Sequence, residues 1–349
     1  MHEAMFYDGL DGKKVHCRLC PRSCVILPDK SGYCGVRKNE GGKLFSLIYG
    51  KVSSINVDPI EKKPLFHFHP GSLVFSLGTF GCNMRCIHCQ NWEIAHVVMV
   101  EGLHEKKVYN ILTEDRTEIV SPEKAIEMAK ESGAEGIAWT YNEPTIWFEY
   151  AFDTAKLAKA AGLYTVFVTN GYITAEALDT IAPYLDAYRV DLKGFTPEFY
   201  RRIAKVANYE TILEAAKRAK QKWNLHVEII TLVIPGWNDD EKQLKGIASW
   251  IKENLGPETP WHVTRFVPQL ELGNLDATPV KTLEKARKIG FDSGLKYVYI
   301  GNVPGHEGEN TYCPKCKHLL IERKGYDIEI KGIKDGNCDY CGESIPIRT

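Results

Sequence analysis

The sequence has no surplus of either charge sign: 44 Lys and Arg stand against 45 Asp and Glu, a formal charge of -1. A basic excess is what draws a chain onto phosphate backbones, so nucleic acid is not expected as a partner. There is also no apolar run of the roughly 18 residues needed to cross a bilayer. The opening MHEAMFYDGLDGKKVHC lacks the continuous apolar centre of a secretory signal. These absences predict a cytoplasmic protein with no membrane association. Core-forming residues are not scarce: 44% of the chain is hydrophobic and 26% charged, which excludes a disordered or fibrous class. At 349 residues the chain has room for one large domain with small attachments, or for two medium domains, without needing disulfides.

What the sequence does have is cysteine. Its eleven cysteines form three groups: Cys17, Cys20, Cys24 and Cys34; Cys82, Cys86 and Cys89; and Cys313, Cys316, Cys338 and Cys341. A reducing compartment leaves such thiols free for metals.

Residues 1–70 are polar and turn-rich, with strand-like fragments at Leu44 to Tyr49 and Val52 to Val57, and read as a small N-terminal Cys-rich module. The pattern changes at LVFSLG (73–78), a strand-length apolar run followed by the central cysteines and a long charged connection to Ser121. Ser121-Pro122 then marks a helix start. Strands follow at GIAWTY (136–141), LYTVFVTN (163–170), YLDAYRVDLKG (184–194), LHVEIITLVIPG (225–236), WHVTRFVP (261–268) and KYVYIGN (296–302). Helices are expected between them, from about Thr145, Thr174, Tyr209, Asp239 and Pro279. Short Val-, Ile- and Tyr-rich strands alternating with helices predict parallel βαβ units, six repeats and an extra strand. Either a barrel or a doubly wound sheet satisfies that pattern. The distinctive polar residues fall after six different strands, and loaded strand ends favour the barrel. The expected architecture is α/β: an open, partial (β/α)6 TIM-like barrel over 71–305, with the Cys-rich module before it and a zinc-ribbon-like module over 306–349.

Cys82-x3-Cys86-x2-Cys89 places three thiolates on one loop. Three local ligands are too few to close a structural zinc site but enough to hold an iron-sulfur cubane by three irons, leaving the fourth open. The alternatives are zinc completed by a remote residue, or reduced thiols in a turn. Gly78 and Gly81 permit tight turning around a ligand.

The run LGTFGCNMRCIHCQNW (77–92) resembles the defining loop of the radical S-adenosylmethionine (radical SAM) superfamily. With HCRLCPRSCVI, GYCGVR, TYNEPT, VTNGY, DLKG, VIPGWND, TPWHVTRF and YIGNVPGHEGENTYCP, almost the whole chain resembles the AmmeMemoRadiSam system radical SAM enzymes, relatives of pyruvate formate-lyase activating enzymes. The resemblance implies a four-iron four-sulfur cluster on Cys82, Cys86 and Cys89. It also implies that S-adenosylmethionine (SAM) on the open iron is cleaved by one electron to a hydrogen-abstracting 5'-deoxyadenosyl radical. The superfamily usually has an aromatic residue near the adenine where this chain has His88. A Gly-Gly-Glu segment that meets the methionyl amino group has its counterpart in Tyr141-Asn142-Glu143-Pro144, which keeps only the glutamate.

The remaining candidates follow the strands. Asn142 and Glu143 are candidate SAM contacts; Glu143 is equally a helix-start acid. Asn170 and Gly171 suit a ribose or carboxylate, or form a simple Asn-Gly turn. Asp191 and Lys193 share a face and offer an acid-base pair, or a structural ion pair. Glu228 sits in an apolar strand and needs a partner. Gly236 and Asn238 belong to a loop that resembles the one lying along the adenine, with Asn238 or Asp239 also able to cap the next helix. His262 and Arg265 lie on opposite faces, so one of them is expected at the cavity. Asp191, Lys193, Arg265 and Asn302 are the catalytic candidates.

Cys313, Cys316, Cys338 and Cys341 form two CxxC knuckles separated by 21 residues of expected hairpin, which include YDIEIKG (326–332). That pattern predicts structural zinc, with a rubredoxin-like iron site as the alternative. The N-terminal four suit either zinc or a second iron-sulfur cluster. The expected function is reductive SAM cleavage for hydrogen abstraction, with a partner-protein glycine as candidate substrate. A small metabolite is the alternative, and a non-catalytic zinc or redox module the alternative of another class. Expected partners are a one-electron reductant such as ferredoxin or flavodoxin, and, by the resemblance, Memo-like and AMMECR-like proteins.

Overall fold

The computed structural model describes residues 1–96 and 117–349. Most of the charged connection expected before Ser121 lies, over 97–116, outside the described residues. No helix among the described residues is long and apolar enough to cross a membrane.

The alternating pattern folds into an eight-stranded mixed sheet. Its strands are β1 (Ser54–Pro59), β2 (Leu73–Gly78), β3 (Gly136–Trp139), β4 (Tyr164–Thr169), β5 (Ala187–Asp191), β6 (His226–Val233), β7 (Trp261–Arg265) and β8 (Val298–Gly301). Strands β2 to β8 are parallel and adjacent in chain order. The order never reverses, so the doubly wound alternative is excluded, since that fold needs a switch point. The edges β1 and β8 do not pair with each other, and the sheet is open.

Helices fill the crossovers: α1 (Pro122–Glu131), α2 (Phe148–Ala160), α3 (Ala175–Ile181), α4 (Glu210–Gln221), α5 (Glu241–Asn254) and α6 (Val280–Asp292). Ser121 caps α1 by accepting from the Lys124 amide at 3.2 Å, with Pro122 in the first turn. The expected cap of α5 is corrected. Asp240 accepts from the Gln243 amide, because Asn238 and Asp239 are already committed to the Ile234 and Gly236 amides.

Residues 54–59 belong to the main sheet: β1 runs antiparallel to β2, with Ile55 opposite Leu77. The boundary expected at residue 70 therefore falls within the connection between two paired strands. The segment that follows β1 packs under the sheet, where Glu228 is fully buried. Its carboxylate accepts from the Phe66 amide (3.1 Å), the His67 amide (2.8 Å), His226 Nε2 (2.8 Å) and His262 Nε2 (2.6 Å). Four donors meet the partner requirement of a buried carboxylate, so Glu228 supports the base of the sheet. The C-terminal hairpin, Leu319–Lys324 and Asp327–Ile330, closes against the same base. There the buried Arg323 donates to the Glu309 and Phe66 carbonyls and to the Thr311 hydroxyl.

Candidate active site

Alternation along each strand decides what reaches the carboxyl end of the sheet. On β6, Glu228 lies at the base, while Ile230 and Leu232, two and four residues on, line a cavity of about 400 Å³. On β7, His262 lies at the base bonded to Glu228 and Thr264 lines the cavity. Arg265 points to the other face, and its Nε donates to the Thr278 carbonyl at 3.0 Å. The expectation that His262 or Arg265 faces the cavity is thus corrected: neither does.

Cys82, Cys86, His88 and Cys89 line this cavity with Asn142, Glu143, Asn170, Asp191, Lys193 and Asn302. Gly171, Gly236 and Asn238 do not. Asn238 is fully buried and donates to the Lys193 and Leu232 carbonyls at 2.7 and 2.8 Å, so it braces the turn carrying Lys193.

The cysteine loop is fixed from several sides. The Arg85 guanidinium donates to the carbonyls of Cys82 and Tyr33, each at 2.9 Å. Asn142 accepts from the Thr79 amide at 3.2 Å and donates to the Gly81 carbonyl at 2.8 Å. Asn170 donates to Asn83 Oδ1 at 2.9 Å and lies 3.7 Å from Cys82 Sγ. Burial pushes the Cys82 and Cys86 thiols up to about 12 and Cys89 up to about 11. Thiolates here therefore call for a bound cation.

Glu143 is 1% exposed. Its Oε1 accepts from the Thr145 amide (3.0 Å), the Thr145 hydroxyl (2.7 Å) and the Thr169 hydroxyl (2.6 Å), and Oε2 from the Asn170 amide (2.8 Å). Burial raises its pKa despite these donors. The helix-start role is therefore present. Glu143 also ties the end of β3 to the end of β4, and one acceptor direction of Oε2 remains for a donor in the cavity.

Asp191 accepts from Arg189 and, at 2.8 Å, from Lys193 Nζ. Desolvation opposes its ionisation, but Arg189 and Lys193 outweigh it and hold the carboxyl below its usual range. His88 is 4% exposed, and its Nδ1 is buried without a hydrogen-bond partner among the described residues. Burial, reinforced by Lys193, pulls its pKa down to about 3, so the ring is neutral. A buried orphan nitrogen at a cavity wall is satisfied by whatever fills the cavity.

Sequence reasoning missed a second charged group in the wall. Asp58, at the end of β1, accepts from Lys62 Nζ (2.8 Å), Lys63 Nζ (2.6 Å) and the Tyr141 hydroxyl (2.6 Å). Lys62, Lys63, Tyr141 and Arg189 all line the cavity. The signal is the polar run Asp58-Pro-Ile-Glu-Lys-Lys ahead of the first parallel strand, which the sequence reading assigns to the N-terminal module.

The donor set fits an iron-sulfur cubane. Cys82, Cys86 and Cys89 bring three thiols to one cavity, whereas the four C-terminal sulfurs lie within 4.8 Å of one another, as a single metal ion requires. The family model for the radical SAM superfamily matches residues 77–245. An uncharacterized protein of Methanocaldococcus jannaschii is 44% identical over 349 residues, covering 99% of both chains. The chain belongs to the radical SAM superfamily. It is also related to the activating enzymes of glycyl-radical proteins. The pyruvate formate-lyase 1-activating enzyme of Escherichia coli is 27% identical over 198 residues, 55% of this chain and 72% of that one. A putative glycyl-radical enzyme activating enzyme of M. jannaschii is 25% identical over 228 residues, 64% of this chain and 77% of that one. As a radical SAM enzyme, the protein uses a four-iron four-sulfur cluster and SAM for radical chemistry.

Proposed function

We propose that this radical SAM enzyme abstracts a hydrogen atom from a glycine of a partner protein, with Cys82, Cys86 and Cys89 holding the cluster in an open, partial (β/α)6 barrel. The observation that carries this reading is the convergence of these cysteines, the unpartnered His88 Nδ1 and the Glu143 carboxylate on one cavity. When bound, the cluster and SAM supply one-electron cleavage and a hydrogen-abstracting radical. The chain's own residues orient and enclose. Glu143 receives the methionyl ammonium through its remaining acceptor direction, and His88 hydrogen-bonds the adenine side. Asp191 and Lys193 hold the ribose and carboxylate, and Asn302 lines the far rim. The relation to glycyl-radical activating enzymes supports a protein substrate.

The test follows deuterium from glycine-labelled partner proteins into 5'-deoxyadenosine, with Memo-like and AMMECR-like proteins as the first candidates and ferredoxin or flavodoxin as reductant. Label in the nucleoside supports the reading. Label arising only from a deuterated small metabolite contradicts it.

Asp191→Asn should lower 5'-deoxyadenosine formation by on the order of tenfold, about 1.4 kcal/mol of barrel-mouth positioning, at unchanged iron content. Unchanged turnover would make Asp191 a structural ion-pair partner only.

The C-terminal group suits zinc. Cys313 and Cys341 sulfurs lie 3.6 Å apart, as do those of Cys316 and Cys338. A complete thiolate site binds zinc with an apparent ~10–16 kcal/mol. Cys338→Ser should therefore lose most of the zinc and lower the thermal midpoint while the central cluster's spectrum stays. Full zinc occupancy in the variant would show that the knuckles do not share a metal.

A further inference from the structure

The central cavity carries more cationic groups than the neighbouring carboxylates compensate. Lys62 and Lys63 share Asp58, at 2.8 and 2.6 Å. Arg189 and Lys193 share Asp191. All four cations line the cavity. Glu143, the other carboxylate that lines it among the described residues, already meets four donors and is given to an ammonium in the reading above. Two carboxylates therefore serve four cations, and the wall is left positive.

The two most buried of these cations are Lys63 and Arg189. Arg189 stands two residues before Asp191 on β5, hence on the same face and roughly 6–7 Å nearer the base. In register with it are Val168 on β4, which lines the cavity, and Glu228 on β6 beneath. Glu228 takes its four hydrogen bonds from Phe66, His67, His226 and His262, and leaves Arg189 aside. Asp191 occupies Nη1 of the guanidinium. Arg189 is 9% exposed, and its Nε is buried with no hydrogen-bond partner among the described residues. A buried donor without an acceptor is costly, and the Nε side of the fork can meet a planar oxyanion with two parallel hydrogen bonds.

Lys63 is 2% exposed. Its Nζ meets Asp58 and lies 4.7 Å from the Tyr141 ring centroid. Burial pulls its pKa down to about 8 even beside Asp58, and Arg189 adds to the shift, so the two cations act on each other across the floor of the cavity. Tyr141 is held for this position at some cost: it adopts φ +70°, a left-handed conformation uncommon for a residue with a side chain. The ring turns back over β2, where a Cβ on Gly78 would come within 2.8 Å of Tyr141 Cδ2, and the hydroxyl reaches Asp58 at 2.6 Å. Backbone strain that persists at a cavity points to a function for the group it positions. Above this charged floor Val168, Ile230 and Leu232 make the walls apolar.

We infer that Arg189 and Lys63 form a subsite for a carboxylate of the substrate, the Nε side of the guanidinium and the ammonium each donating to it. The subsite is separate from the groups given to SAM. Glu143 and Lys193 follow their strands and His88 lies in the cysteine loop, whereas Arg189 is one pleat beneath Asp191. No bond is made or broken there; the contact turns the substrate so that the hydrogen to be abstracted faces the cysteines. In the glycine reading, on which this last step rests, the reacting glycine has an Asp or Glu close to it in the partner segment. A free carboxylic acid of metabolite size carries the same group, and the probes below separate the two sources.

The test measures binding to the reconstituted full chain with SAM bound, so it requires no turnover. The probes are acetyl-glycyl-aspartyl amide against acetyl-glycyl-asparaginyl amide, and succinate against succinamide. At least one acidic probe should bind about tenfold or more tighter than its neutral counterpart. That preference should drop about tenfold in Lys63→Gln and in Arg189→Gln. Should Arg189→Gln not fold, Arg189→Lys keeps the charge beside Asp191 without the fork, and should lose most of the preference as well. The SAM affinity of Lys63→Gln, read from the reduced cluster's paramagnetic signal, should stay at its wild-type value. Equal binding of acidic and neutral probes, or no binding of any of them, overturns the inference. So does a preference that survives both substitutions, or a loss of SAM affinity with the preference intact, which would give these cations to SAM. Preference for the aspartyl peptide supports the glycine reading as well, whereas preference for succinate alone keeps the subsite and contradicts an acidic glycine segment as its source.

Discussion

Serine at Cys82, Cys86 or Cys89 is expected to abolish reductive SAM cleavage, the largest effect of any single substitution in this chain. Each cysteine supplies one of three thiols at the central cavity, and among the described residues no other thiol lines it. The surroundings do not compensate, because burial keeps all three thiols protonated unless a metal is bound. Loss of an outer-shell partner costs about 10–100-fold, and loss of a direct ligand should exceed that. The measurements are iron and sulfide content and 5'-deoxyadenosine yield after anaerobic reconstitution. Wild-type values in all three variants would remove the cluster from this loop.

Glu143→Gln should weaken SAM binding while sparing the cluster. The substitution removes the charge facing the methionyl ammonium. A charge-assisted hydrogen bond is commonly worth ~1.5–3 kcal/mol, or roughly 10-fold to 150-fold in affinity. It has a second, structural consequence. All four protein contacts to Glu143 are donors, from Thr145, Thr169 and Asn170, so an amide nitrogen must oppose one of them. An unsatisfied buried donor costs about 1–3 kcal/mol, and a lowered thermal midpoint is expected alongside the weaker binding. Titration read by the reduced cluster's paramagnetic signal separates the two. A lowered midpoint with unchanged SAM affinity would leave Glu143 as a brace between β3 and β4, acting only through Asn170.

The parallel strands were legible because their signal is local. LVFSLG announces β2 over the residues it occupies, and Ser121-Pro122 announces its helix through groups three residues apart. The cysteine loop was legible for the same reason, since its three ligands sit within eight residues. What stayed hidden depends on partners distant in sequence. Glu228 meets amides 161 and 162 residues upstream, and no pattern within HVEIITLV identifies Phe66 and His67 as its donors. The same distance hid Asp58, Lys63 and Tyr141. Their residues come from either side of the first parallel strand and meet only once β1 has paired with β2. The error over His262 and Arg265 had another origin. Opposite faces were read correctly, but position along the strand decides between base and cavity. His262 is one pleat too low, and Thr264 takes the cavity position on that face.

The most direct test of the account is SAM added to the reduced, fully loaded wild-type enzyme under anaerobic conditions. The account predicts that SAM perturbs the paramagnetic signal of the central cluster, as expected for binding at an open iron. It further predicts 5'-deoxyadenosine and methionine in equal amounts, formed only when reductant is present. A full complement of iron and sulfide with an unperturbed signal and no 5'-deoxyadenosine would contradict it.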